Sequence, residues 1–537
     1  MRMRKRLFAW RVVAVVAVLA LTAAACGGDD EGDEGDGGTQ QPTDVTIIHG
    51  TTDSVVSFDP AGSYDLGSWQ IAYQVYNGLL EIPPGAGQPE FVLAESCQFD
   101  DPQTYTCSLR QGVTFHDGSE FTSEDVVASF ERNIMLDDPN GACSLLGSLA
   151  DCGKWKGNEI DAPDDYTVTF NLRAPDATWP SILTVPTTYI VPSDAYPADG
   201  LQPDDQVIGT GRYRQVEYRP GEQLVLEANE DYFGEPPANS RVFVQYFDRS
   251  SALKLAIEQG EVDVAWRTFT PTESADLENA DGVQVLTGPG AEIRYLVFNL
   301  GHEPYDEPAV RKAIAMSIDR QAIADNVYNG TVEPLYSMVP AGMDSHLDAF
   351  ADAYGESPDV DGAAQLLEDA GVDTPVELEI WWTPTHYGDA SADEYAEIQR
   401  QLEDSGLFEV TLESTEWDQY SEAAFTDQYP AYQLGWFPDY VDPDNYTSPF
   451  YSSSSFLNIH YENNRVEEII AEEKASDDPD ERVALFEELQ QIAAEDVPIV
   501  PIWQGFMLAA VRDGVTGVQD TLDPAFIFRY WVISKEA

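Results

Sequence analysis

The side chains best able to do covalent or metal chemistry in this 537-residue sequence are five cysteines and six histidines, and their spacing argues against most such chemistry. His49, His116, His302, His346, His386 and His460 are scattered singly, so no His-Glu-x-x-His helix offers two ring nitrogens to one metal ion. No Gly-x-Ser-x-Gly turn presents a nucleophilic serine, and no Gly-x-Gly-x-x-Gly loop cradles a phosphate. Acidic pairs such as Asp137-Asp138 are too common in a chain with 96 acids to single out a glycosidase carboxylate pair. The expectation is no catalytic residue, no metal and no cofactor, with a secreted hydrolase as the remotest reading.

Cys26 stands apart from the other cysteines. It follows Ala23-Ala24-Ala25, which close an apolar run from Val12 to Leu21 that is itself preceded by Arg2, Arg4, Lys5, Arg6 and Arg11. Cations, a short apolar core and small residues mark a secretory signal, and the run falls short of the roughly 20 residues of a bilayer-spanning helix. The stretch resembles the lipobox of bacterial lipoproteins, with Ala23 where that motif usually has leucine. The resemblance implies a signal peptide at 1–25 and a lipid on Cys26. Residues 27–42 are almost entirely Gly, Asp, Glu, Gln and Thr, with nothing apolar to bury, and read as an acidic flexible tether.

Cys97, Cys107, Cys143 and Cys152 are an even number in an exported chain, which points to disulfides. Of the three connectivities, Cys97 with Cys107 and Cys143 with Cys152 closes short local loops; buried free thiols are the alternative. Without the five cations of the signal, 23 bases face 96 acids, a net charge of −73, which excludes nucleic acid as a partner. About 43% of the residues are hydrophobic, enough for two or three domains with sizeable cores.

The elements that must position any site are mixed. Alternating apolar residues predict strands over 104–109 and 166–172. Helical spacing appears at Val310, Ala313, Ile314 and Ile318 after Pro308, and again at Val483, Phe486, Leu489, Ile492 and Ala493. Helices and strands do not alternate strictly, so the expected class is α/β or mixed α+β.

Residues 105–118, YTCSLRQGVTFHDG, and 121–130, FTSEDVVASF, closely resemble the signature of the family 5 extracellular solute-binding proteins, the peptide and nickel type. Matching blocks recur along the chain, among them Tyr76 to Leu80, Gly209 to Tyr213, Asn229 to Phe233, Gly260 to Asp263, Val310 to Ile314, Ala364 to Gly371 and Gly435 to Tyr440. Arg212 departs from the family, which usually has proline there, and is expected to alter a turn. Within the signature, Gly118 reads as a turn residue, Ser123-Glu124-Asp125 as a helix start, and His116 as satisfied by neighbours.

The resemblance implies a two-lobed periplasmic-binding-protein-like fold (type II, cluster C) with an extra domain inserted in lobe I. Lobe I would comprise 43–78, 195–292 and 506–537, the inserted domain 79–194 and lobe II 293–505. It also implies a substrate-binding lipoprotein of an ABC importer on the outer face of the cell membrane or in the periplasmic space. Such a protein is a monomer held to the membrane only by its lipid, closes about a hinge over a small peptide, and delivers it to permease subunits served by ATPases. The alternative keeps the fold and binds an oligosaccharide or metal chelate.

In peptide-binding members the ligand ammonium is held by the aspartate of a Gly-Trp-x-x-Asp-Tyr-like motif, which maps onto Asp439, with Trp436 as a wall and Tyr440 beside it. The segment containing Val55, Val56 and Ser57 lies where the family pairs a strand with the bound peptide. Trp503 and the pair Trp381-Trp382 are further cleft candidates, with core packing as the competing role. Some oligopeptide binders carry an arginine three residues before the motif's tryptophan; here it is Gln433, which leaves the partner of a ligand carboxylate open.

Overall fold

Three sheets organise the computed structural model, which describes residues 44–384 and 386–536; the signal, Cys26 and the tether lie outside the described residues. In the four-stranded antiparallel sheet, Tyr105, Cys107 and Leu109 of Thr104–Leu109 are buried and Ser108 is exposed, as alternation requires. Tyr105 and Cys107 face Phe170 and Val168 across the register with Thr167–Asn171. The helix Ser123–Leu136 closes the buried face through Val126, Phe130 and Ile134, with Phe130 edge-on to Phe170. Its start is a capping box of Thr122 and Asp125, with Glu124 also in the first turn, where acids answer the exposed amides. Both expected disulfides form: Cys97–Cys107 joins paired strands and Cys143–Cys152 closes a loop after the helix.

The signature's other residues tie this sheet to the next. Gly118 adopts φ +89°, which a side chain would resist. His116 accepts from the Gly209 amide at 3.2 Å and meets the Gly211 carbonyl at 3.1 Å; burial lowers its pKa to about 4. The ring is thus a neutral clamp between two family motifs. Arg212 forks onto Glu81, both bonds at 3.1 Å, and lies 4.3 Å over the Trp531 ring. It does more than reshape a turn.

The seven-stranded sheet runs Val283–Gly288, Met507–Arg512, Val264–Trp266, Thr46–Thr51, Arg241–Tyr246, Gln223–Ala228, Tyr213–Arg219. The six-stranded sheet runs Val332–Pro334, Ile499–Gly505, Ile293–Phe298, Ala431–Trp436, Val376–Trp382, Phe408–Ser414. Ile293–Phe298 is buried at every position and antiparallel to both neighbours. The expected helices form as Pro308–Ser317 and Pro479–Asp496, each with proline in its first turn. The chain passes from the first of these sheets to the second between Gly288 and Ile293 and returns between Gly505 and Met507. The two passages are bonded, Gly505 N donating to Glu292 O at 2.9 Å, and a Cβ on Gly290 would meet Gly505 O at 2.3 Å.

The helix Ser123–Leu136 is anchored outward by Arg132, whose guanidinium grips buried Asp59 through Nη1 at 2.8 Å and Nη2 at 2.5 Å. Asp59 also accepts from the amides of Ala61 and Gln202. Arg132→Met should destabilise the protein by about 3–5 kcal/mol in urea unfolding, because it strands a buried carboxylate. Adding Asp59→Asn should recover part of the loss.

Candidate functional site

The strand Ala431–Trp436 runs out through Phe437 and Pro438 to Asp439, whose residue is only 9% exposed. Its Oδ1 accepts from the Tyr64 hydroxyl at 2.8 Å, and Oδ2 from Asn445 Nδ2 at 3.2 Å. Among the described residues no cation lies within ion-pair distance of it. Burial pushes its carboxyl up to about 6, against the pull of the two neutral donors.

Its acidic neighbours are differently employed. Asp442 caps the turn Pro443–Tyr446 and is held by Arg482 at 2.8 and 2.9 Å. Asp444 accepts from Tyr440 and Ser448 and lies 3.6 Å from Lys474. Turn capping therefore belongs to Asp442, while Asp439 is a buried carboxylate left without a counter-ion.

Asn445 joins the motif's two main residues. Its Oδ1 accepts from the Asp439 amide at 3.0 Å and from Trp436 Nε1 at 2.9 Å. The Trp436 ring is half-buried, edge-on to Phe450 and stacked near Phe456. Tyr64 immediately precedes the helix Leu66–Val75, which Asp65 caps. The Tyr64 bond therefore links the amino-terminal region to the strand of the six-stranded sheet, 375 positions away. Neither Asn445 nor Tyr64 was a sequence candidate for the site. Asn445 is hidden in an Asp/Pro-rich run, and nothing local marks Tyr64.

Other candidates are placed differently. Tyr440 gives its hydroxyl to Asp444 at 2.8 Å and packs its ring with the four-stranded sheet's apolar cluster, which ties the motif to that sheet. Val55, Val56 and Ser57 lie in a loop outside any strand. The Ser68 hydroxyl takes the amides of Val56 at 2.9 Å and Ser57 at 3.3 Å, and the Ser57 hydroxyl goes to Asp204. Trp503 is buried, with Nε1 on Glu394 at 3.2 Å and its ring under the Arg294 guanidinium. Trp381 stacks on Tyr429 at 4.2 Å, and Trp382 packs beside the core of the six-stranded sheet. Gln433 is fully buried and braces the chain at Thr383 and Ser391.

Residues 88–458 match the family described as "Bacterial extracellular solute-binding proteins, family 5 Middle". The chain is 28% identical over 473 residues to the di/tripeptide-binding protein 3 of Pseudomonas aeruginosa, covering 84% of this chain and 87% of the relative. It is 27% identical over 498 residues to the heme-binding protein A of Haemophilus influenzae, covering 88% and 89%. Among solved structures, the periplasmic binding protein DppA from Helicobacter pylori, in complex with peptide STSA, superposes with TM-score 0.74 at 22% identity, covering 92% of this chain and 98% of that one. These likenesses carry the two-lobed fold of periplasmic binding proteins.

The raised carboxyl has a sign that can be checked. With its pKa near 6 when folded and near 3.8 when unfolded, Asp439 costs nothing below about pH 4. The cost grows as pH rises to about 6 and is constant above that. Asp439→Asn should therefore stabilise the ligand-free protein at pH 7 by about 1–3 kcal/mol, with the gain vanishing near pH 4, in denaturant titrations at both pH values.

Proposed function

Because the chain belongs to the bacterial extracellular solute-binding proteins of family 5, we propose that it captures short peptides outside the cell and delivers them to the permease subunits of an ABC importer. The observation that carries the reading is the buried Asp439 carboxylate, satisfied by neutral donors and lacking a cation. A peptide's ammonium supplies the missing charge, and a charge-assisted bond in a site shielded from water is strong. Trp436, fixed by Asn445, walls the ammonium pocket. Haem, for which one relative is named, brings carboxylates toward a carboxylate and fits this pocket less well.

In this reading the lobes are 43–78, 195–292 and 506–537 for lobe I and 293–505 for lobe II, with 79–194 inserted. The bonded passages at Gly288–Ile293 and Gly505–Met507 support a hinge there, and the Tyr64–Asp439 bond is one that closure makes. Ligand contacts to both lobes exist only when they are closed, so ligand shifts the population that way. The protein acts as a monomer without enzymatic activity, lipid-anchored through Cys26 at the outer face of the membrane. No helix among the described residues is long and apolar enough to cross a membrane.

Calorimetry with dipeptides tests the ammonium site. Asp439→Ala should weaken binding at least tenfold, about 1.4 kcal/mol. Affinity in the wild type should be full above about pH 7 and fall roughly tenfold by pH 5, because the carboxyl must lose its proton before pairing with the ammonium. Asp439→Asn should flatten that profile. Unchanged affinity in Asp439→Ala would sink the assignment.

A further inference from the structure

The turn that follows Asp439 and carries Asn445 rests against the end of the helix Asn464–Ala475. Arg482 bolts the two together, bonding Asp442 of the turn at 2.8 and 2.9 Å and Glu473 of the helix at 2.9 Å. Beside Glu473, the Lys474 ammonium lies 3.6 Å from the buried Asp444 carboxylate. Burial works against that charge, but Asp444 and Asp176 outweigh it and hold the lysine above its ordinary pKa. Asp176 belongs to another part of the chain, the loop that follows the strand Thr167–Asn171 of the four-stranded sheet.

That loop also bonds the helix directly. The Ala177 amide donates to the Lys474 carbonyl at 2.9 Å. Lys474 stands in the last turn of its helix, where carbonyls meet no amide of their own helix, so the bond satisfies a group that the helix leaves open. Asp176 is buried and fixes the loop: its carboxylate accepts from the Ser148 hydroxyl, from the Thr178 amide at 3.0 Å and from the Thr178 hydroxyl at 2.6 Å. A third contact is apolar. The Tyr440 ring packs into the cluster of the four-stranded sheet, which also holds Trp69 of the helix Leu66–Val75.

On the two-lobed closure proposed above, residues 79–194 travel with lobe I and the helix Asn464–Ala475 with lobe II. We propose that the loop Asp176-Ala177 is a closure latch: the inserted domain docks on Lys474 as the lobes close over a peptide, and so slows the peptide's release. Opening breaks the Ala177 bond, draws Asp176 away from Lys474 and bares the Tyr440 ring. Lys474 is a positioning residue, acting on the site through Asp444 and the turn. Because these contacts exist only with the lobes closed, losing one acts on release more than on capture.

Hydrogen exchange read by mass spectrometry over residues 173–178, with and without saturating trialanine, tests the latch in the wild-type protein. The segment should gain one amide that exchanges at least tenfold more slowly when trialanine is bound, while Thr104–Leu109 in the same sheet stays unchanged. Equal exchange in the two states overturns the latch, since the loop is then docked permanently or not at all. In stopped-flow experiments Lys474→Met should speed trialanine dissociation at least fivefold and leave association within about twofold, and Lys474→Arg should recover part of the loss. Unchanged dissociation in Lys474→Met overturns the latch as well. The exchange comparison needs no variant, so it decides the matter even if Lys474→Met does not fold. Calorimetry separates the two levels of the reading. Trialanine binding without any change over 173–178 sinks the latch alone, whereas failure of both dialanine and trialanine to bind removes the peptide reading and the latch with it.

Discussion

A carboxylate withdrawn from water costs several kcal/mol unless its charge is answered, and at Asp439 the protein answers it with neutral donors alone. Much of the surrounding structure follows from that arrangement. Asn445 must present its amide to the carboxylate and its oxygen to Trp436, which sets the path of the Asp/Pro-rich turn. Tyr64 must arrive from the start of a distant helix, so the bond exists only when the amino-terminal region lies against the six-stranded sheet. A site that tolerates its own unpaired charge is less stable empty than filled.

Local features of the sequence were legible where local physics decides them. Alternation at Thr104–Leu109, proline at the start of Pro308–Ser317, acids at Ser123–Leu136 and the short disulfide loops all need only neighbouring residues. The motif around Asp439 was legible through its resemblance to a family. The partner that gives the motif its chemistry was not, because Tyr64 comes from far along the chain and no spacing rule links it to Asp439. The partner of the segment at Val55 to Ser57 was hidden for the same reason: Ser68, on the following helix, takes the amides of Val56 and Ser57. Tyr440, adjacent to Asp439, gives its hydroxyl to Asp444, a partner that adjacency in the motif does not reveal.

Charge is distributed unevenly between surface and interior. In a chain so poor in bases, Arg132, Arg294, Arg311, Arg320 and Arg529 are all buried. Arg132 and Arg529 neutralise internal aspartates, and Arg311 satisfies carbonyls at the end of the helix Pro479–Asp496. Acids such as Asp59, Asp442, Asp444 and Asp523 are buried with them, and the acidic excess of the composition lies at the surface. Such a surface stays hydrated and soluble, and it attracts cationic groups at long range, with screening by salt.

The threading of the seven-stranded sheet bears on how the protein is made. Met507–Arg512 lies between Val264–Trp266 and Val283–Gly288, which reaches the sheet through no other strand. A chain delivered from its amino terminus therefore holds an unfinished sheet, with the edge at Val264–Trp266 open, until Met507–Arg512 has emerged. Open edges invite pairing with other chains, and closing so distant a contact is slow. Met507–Arg512 thus seals, late in the chain, a sheet to which the first described strand, Thr46–Thr51, already belongs.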